Sequence, residues 1–181
     1  MKYIYIIIMI FVLGGCSGSN PNPGERTTDI AWNNRDFQRA YEIAKHKAEA
    51  GEPWAQLRMG IFCANGWGTE ASLDQAEYWY KKALVQKTDG KWAEGSIVGS
   101  TGRAGYFNQN SDARIAEYNL ASLYLNNNKK LEQALQHINN VIKESNGHSI
   151  FFCCEFSGGK SFTQKQFTEL KSKIENKLNN K

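Results

Sequence analysis

The sequence predicts an all-α fold, a short α/α solenoid of helix pairs that ends in a C-terminal capping helix. Three observations predict it. Apolar residues recur at the helical period of about 3.6, helix-capping residues precede these apolar runs, and small residues recur at fixed offsets along the chain. The 181 residues are enough for one domain with its own hydrophobic core.

Several segments show the helical period and have residues at their ends that suit a helix boundary. Asp36 and Ser72 are candidate N-caps. Gly51 is a candidate stop, and Pro53 suits a first helical turn. The predicted helices span residues 36–50, 53–64, 72–86, 112–126, 131–144 and about 163–179.

Two sets of positions recur along the chain, and this recurrence indicates repeated helix pairs. The first set recurs after 61 residues, so that Ala55, Met59, Gly60, Cys63 and Gly66 correspond to Ala116, Leu120, Ala121, Tyr124 and Asn127. The second set recurs after 36 residues and links Ala40, Ile43, Lys47 and Ala48 with Ala76, Trp79, Ala83 and Leu84. The small residues in both sets would let neighbouring helices approach closely.

These positions resemble the Sel1-like repeat, an α/α relative of the tetratricopeptide repeat (TPR). The direct matches are Ala55, Gly60, Gly66, Gly68, Asp74, Ala76, Trp79 and Ala83. Met59 stands where the repeat has leucine, and Cys63 where it has tyrosine. The resemblance is closest over residues 36–86 and weaker over 112–145. It implies TPR-like helix pairs joined by glycine turns and, because Sel1-like proteins generally assemble other proteins, an adaptor or scaffold.

The N-terminus predicts a targeting segment. Residues 4–13 form an apolar run that is too short to span a bilayer as a stable helix. The run ends in Leu-Gly-Gly before Cys16, which resembles the lipobox of bacterial lipoproteins. The resemblance implies a signal peptide at residues 1–15 and a lipid, such as palmitate, on Cys16. The alternative is an ordinary secretory signal followed by a chance cysteine.

The sequence after the predicted signal peptide divides into five segments. We expect a flexible tether at 16–31, Sel1-like repeats at 32–86, an insertion or degenerate repeat at 87–111, a second helix pair at 112–145, and a tail with the C-terminal helix at 146–181. Ser17, rather than an aspartate, follows Cys16, and this resembles sorting to the outer membrane, facing the periplasm.

The expected compartment is oxidising, so three cysteines are candidate disulfide partners: Cys63, Cys153 and Cys154. A disulfide between Cys63 and either Cys153 or Cys154 would leave the other of these two neighbouring cysteines as a free thiol. The alternative is that Cys63, which occupies the core tyrosine position of the repeat, is a buried free thiol.

Charge and motifs argue against several function classes. The 22 basic and 18 acidic residues give a net charge of +4 without a Lys/Arg block, so we expect no nucleic-acid binding. The histidines and cysteines lack metal-ligand spacing, so we expect no metal or cofactor. A nucleophile, base and acid at Cys154, His148 and Glu155 would be close in sequence only. We therefore predict that the protein is not an enzyme.

The expected partner surface is the concave groove formed by the first helix of each pair. By spacing, it would be lined by Arg58, Phe62, Asn65, Asn119, Leu123 and Asn126. These side chains suit an extended peptide or loop of an envelope protein. The alternatives are an ordinary solvated surface, an immunity or inhibitor protein against a periplasmic toxin, and, with no supporting residues, a cell-wall enzyme.

Overall fold

The computed structural model describes residues 23–85, 111–152 and 160–180. Within them the elements are α1 (Pro23–Asn33), α2 (Phe37–Glu49), α3 (Pro53–Asn65), α4 (Leu73–Val85), α5 (Ser111–Asn126), α6 (Leu131–Ser145), β1 (Ile150–Phe152), β2 (Lys160–Phe162) and α7 (Gln164–Asn179). Every helix that the sequence predicts is confirmed, and each observed end lies within one residue of the predicted one.

Local capping explains these bounds. The Asp36 carboxylate accepts a hydrogen bond of 3.1 Å from a backbone N–H in the first turn of α2. The Ser72 hydroxyl accepts one of 3.3 Å from a backbone N–H in the first turn of α4. Thr163 and Gln166 form a reciprocal capping box at the start of α7. Gly66 ends α3 in the left-handed conformation, with a φ of 71°.

The helices pack against their neighbours in sequence. Contacts join each consecutive pair from α1 to α7, and further contacts join α3 to α5 and α5 to α7. The core lies between them and includes the small residues that the repeat pattern selects. Fully buried alanines lie on each helix from α2 to α6: Ala40, Ala55, Ala76, Ala83, Ala116, Ala121 and Ala134.

Close contacts require two of the glycines that the sequence pattern singles out, Gly60 and Gly68. A Cβ at Gly60 would lie 2.3 Å from ring atoms of Tyr80, so α3 and α4 approach closely only because the side chain is absent. Gly68 has a φ of 71°, and a Cβ there would lie 2.2 Å from the carbonyl oxygen of Phe37.

The expectation of an extended tether up to residue 31 is wrong from Pro23 onward, where helix α1 begins. Asp29 and Ala31 on this helix are buried. The ring of Trp32 lies 4.7 Å from that of Phe37 and 4.5 Å from that of Trp67, measured between centroids. The polar composition concealed the helix, because few of its residues are apolar.

A two-stranded antiparallel sheet is a second addition to the predicted all-α fold. Strands β1 and β2 pair Ile150 with Phe162 and Phe152 with Lys160, in a segment that the sequence predicts only as a tail. Ile150 is buried, and the ring of Phe162 lies 5.2 Å from that of Tyr118. The sheet therefore joins α6 to α7 and packs on α5.

Candidate binding surfaces

The predicted groove is partly filled by the protein itself. Arg58 and Phe62 each have 0% of their surface exposed, so the expectation that they face an open groove is wrong. Asp29 of α1 pairs with the Arg58 guanidinium, and the Trp32 ring lies 5.9 Å from that of Phe62. Helix α1, which the sequence does not predict, contributes to this burial together with α2, whose Tyr41 ring lies 6.3 Å from that of Phe62.

Arg58 links three helices. It lies within α3, its guanidinium carbon is 5.5 Å from the centre of the Trp54 ring, and it donates to Asp29 of α1. On α5, burial raises the pKa of Asp112 to about 6, and the positive charge of Arg58 opposes that rise. Arg58 therefore stabilises helix packing, because the carboxylates of Asp29 on α1 and Asp112 on α5 both lie near it.

The other predicted groove residues remain at least partly accessible. Asn65 and Asn126 are exposed, and Asn119 and Leu123 are half-buried. The Asn65 side chain donates to the carbonyl of Ile61 at 2.8 Å, so its amide already contributes to the end of its own helix. The structure thus leaves only part of the predicted set available to a partner.

Leu123 lines a small cleft of about 140 Å³ between α4 and the α5–α6 connection. An ion pair borders it: Lys130 Nζ lies 2.6 and 2.8 Å from the two Glu77 oxygens. Partial burial alone would raise the pKa of Glu77, but hydrogen bonds from Lys130 and Lys81 outweigh it and lower the pKa to about 2. This site is therefore occupied by a charged contact between α4 and the α5–α6 connection.

A larger cleft of about 460 Å³ lies where the end of α2 and the start of α3 meet α4. We call it the α4 cleft, and it is lined by Ala48, Glu49, Gly51, Gln56, Tyr78, Trp79, Lys82 and Val85. Tyr78 is 48% exposed and Val85 is 81% exposed. Lys82 Nζ lies 5.5 Å from the centre of the Tyr78 ring. The cleft therefore combines an aromatic and aliphatic rim with one ammonium group.

The floor of the α4 cleft holds an unusual polar group. Gln56 is buried, and its Nε2 donates to the carbonyl of Ala48 at 3.3 Å. Its Oε1 is buried and has no hydrogen-bond partner in the described part of the chain. A buried acceptor in this state is destabilising, and a donor that reached it would relieve the cost.

Sequence reasoning missed the α4 cleft although a signal was present. Tyr78, Lys82 and Val85 follow one another at helical spacings of four and three, on a face that excludes the buried Ala76 and Ala83. Two large apolar residues on an outward face are the signal. The repeat pattern instead predicted a binding groove on the first helices of the pairs.

The candidate cysteine and lipid sites are only partly covered by the structure. Cys63 is a buried free thiol, and burial raises its pKa. Cys16, Cys153 and Cys154, like most of the 87–111 segment, lie outside the described residues. Among the described residues, no group of three histidine, cysteine or acidic side chains is arranged to hold a metal ion.

His137 of α6 is a packed ring. It is half-buried, its centroid lies 6.1 Å from that of Tyr124, and its Nδ1 lies 3.2 Å from Glu117 Oε1. Asn140 donates to the same carboxylate oxygen at 3.0 Å. These contacts tie α5 to α6.

Within the residues that the structure describes, none of the helices combines the length and the apolar character that crossing a bilayer requires. Comparison of the chain with models of known protein families, with curated proteins and with solved structures finds no match.

Proposed function

We propose that this protein is a lipid-anchored envelope protein whose Sel1-like helix pairs stack into a short solenoid and form a docking platform for another protein. The contacts among α3, α5 and α7 support the stacking, because first helices of successive pairs lie side by side in such arrays. The lipobox-like residues before Cys16 support the anchor and the location at the outer membrane.

The observation that carries the docking role is the exposure of Tyr78 and Val85 at the rim of the α4 cleft. Large apolar side chains gathered around a concavity are typical of a surface that a partner covers. Tyrosine in particular is enriched among the residues that contribute most to binding energy at protein interfaces.

The cleft favours a peptide segment or loop as the bound part of the partner. Its volume lies in the range of pockets that bury a small ligand or several side chains, and an apolar side chain of the partner would pack between Tyr78 and Val85. Lys82 at the rim would pair with a carboxylate of the partner. The partner is thus expected to carry an apolar residue beside an acidic one.

Affinity capture with matched variants tests this proposal. Residues 17–181 would be immobilised as the natural sequence, as the Tyr78→Ala, Val85→Asp double variant, and as Lys165→Glu, a change at an exposed site on α7. We expect one envelope protein to be retained by the natural and Lys165→Glu columns and lost from the double variant. Equal retention on all three columns, or none on any, would refute the docking role of the cleft.

A further inference from the structure

We infer that the face of α3 beneath α1 is a helix-docking groove with α1 as its exchangeable resident. We also infer that it accepts a partner helix with a carboxylate three positions before an aromatic side chain. The inference goes beyond the docking role proposed above, since this face shares none of the residues that line the α4 cleft. Its basis is the contact of Asp29 and Trp32 with α3.

Helix α1 contacts α3 through one charge and one aromatic ring. Asp29 is buried and accepts a hydrogen bond from the fully buried Arg58. Trp32 lies against Phe62 and against Trp67, which follows α3 in the chain. Residues three positions apart share a helix face, so both side chains of α1 meet the groove together.

Several features favour the opening of α1. It has 11 residues, fewer than the ~12–15 that an isolated helix needs to persist in water. Its residues Thr27 and Ile30 are exposed. Desolvation also offsets much of the attraction in a buried ion pair.

Asp112 reduces the cost of release. It lies on α5 near Arg58, and burial raises its pKa to about 6 against the effect of the arginine. If α1 leaves, Asp112 remains as a counter-charge for Arg58. The guanidinium is then not left as an isolated buried charge, which would be the costly outcome.

The same contacts define what the groove recognises. Arg58 supplies a buried cation, and Phe62 and Trp67 supply aromatic surface. A competing helix must provide both a carboxylate and an aromatic ring at the spacing of Asp29 and Trp32. It must also displace a helix held on α2 by a short connection, which gives α1 a millimolar effective concentration, on the order of that for short linkers.

The test uses a fluorescent peptide of residues 23–34 as the probe and chain 17–181 as the receptor. In the receptor, Trp32→Ala weakens the resident helix without changing the groove on α3. By fluorescence anisotropy, we expect the peptide to bind the Trp32→Ala chain about ten-fold more tightly than the natural chain, in which α1 competes. The control peptide carries Asp29→Asn and Trp32→Ala, and it should lose this binding.

Hydrogen exchange of the natural chain provides an independent measurement. Amides of α1 are expected to exchange at least about ten-fold faster than those of α3, because α1 opens without global unfolding. Equal protection of the two helices would overturn the inference. So would failure of a folded Trp32→Ala chain, verified by circular dichroism, to bind the peptide. Should that variant not fold, the exchange rates of the natural chain decide.

Discussion

At the scale of single residues, Gly60 shows how the repeat pattern acts through packing. Its place in α3 leaves room for the ring of Tyr80 on α4, which is itself buried. A Cβ would stand 2.3 Å from two ring carbons, well inside van der Waals contact. Gly60, one of the positions that resemble the Sel1-like repeat, is therefore a requirement of the α3–α4 interface.

We predict that Gly60→Ala lowers the free energy of unfolding. Alanine favours a helix more than glycine does, but the overlap with Tyr80 outweighs that gain and the net loss is about 1–3 kcal/mol. Urea denaturation followed by circular dichroism measures it. In a double-mutant cycle, Tyr80→Leu should recover most of the loss by removing the ring. Additive effects of the two changes would show that the contact does not limit packing.

Asp112 gives a pH-dependent prediction. Burial raises its pKa from 3.8 to about 6, so the folded protein holds this proton more tightly than the unfolded chain. Its contribution to stability is therefore full below about pH 4 and is lost as the pH rises to about 6.

Asp112→Asn removes that titration. The difference in free energy of unfolding between variant and natural chain should shift in favour of the variant from pH 4 to pH 7, as measured by urea midpoints. Comparing the two chains cancels titrations that they share, such as that of Glu77. A difference that stays constant with pH would show that Asp112 has an ordinary pKa.

At the scale of elements, short-range signals were sufficient for most helices. Caps such as Asp36 and Thr163 act within one turn, so their effect is visible in the sequence. The burial of Asp29 in α1 depends on Arg58, which is 29 residues away, and the three-residue strands β1 and β2 are stabilised by each other. Long-range contacts also explain why part of the predicted groove was wrong. They bury Arg58 and Phe62, and no local sequence pattern indicated that burial.

The capping box of α7 supports a prediction for that helix. Thr163→Ala removes the hydroxyl that accepts from the Gln166 backbone, and should cost about 1 kcal/mol in the free energy of unfolding. Thr168→Ala is the matched control, because its hydroxyl bonds only to carbonyls inside the same helix. In thermal or urea denaturation, Thr163→Ala should be less stable than the Thr168→Ala control. Equal stabilities of the two variants would argue against the cap.

At the scale of the whole molecule, the predicted anchor and the helix array would act together. A lipid on Cys16 would hold the array a few residues from the membrane, because α1 begins at Pro23. We predict that Cys16→Ser prevents lipid attachment, so that the unprocessed precursor accumulates in place of the protein in the membrane fraction. Metabolic labelling with palmitate and gel mobility measure this change. Ser17→Ala is the control and should keep the lipid.

Photo-crosslinking in living cells tests the central claim, that the α4 cleft is a docking surface, most directly. p-Benzoyl-phenylalanine would replace Tyr78 or Val85 at the cleft, or Lys165, an exposed residue of α7, in the full-length chain. The account predicts a discrete protein adduct from positions 78 and 85 and none from position 165. The absence of an adduct at the cleft, or the same adduct from position 165, would contradict it.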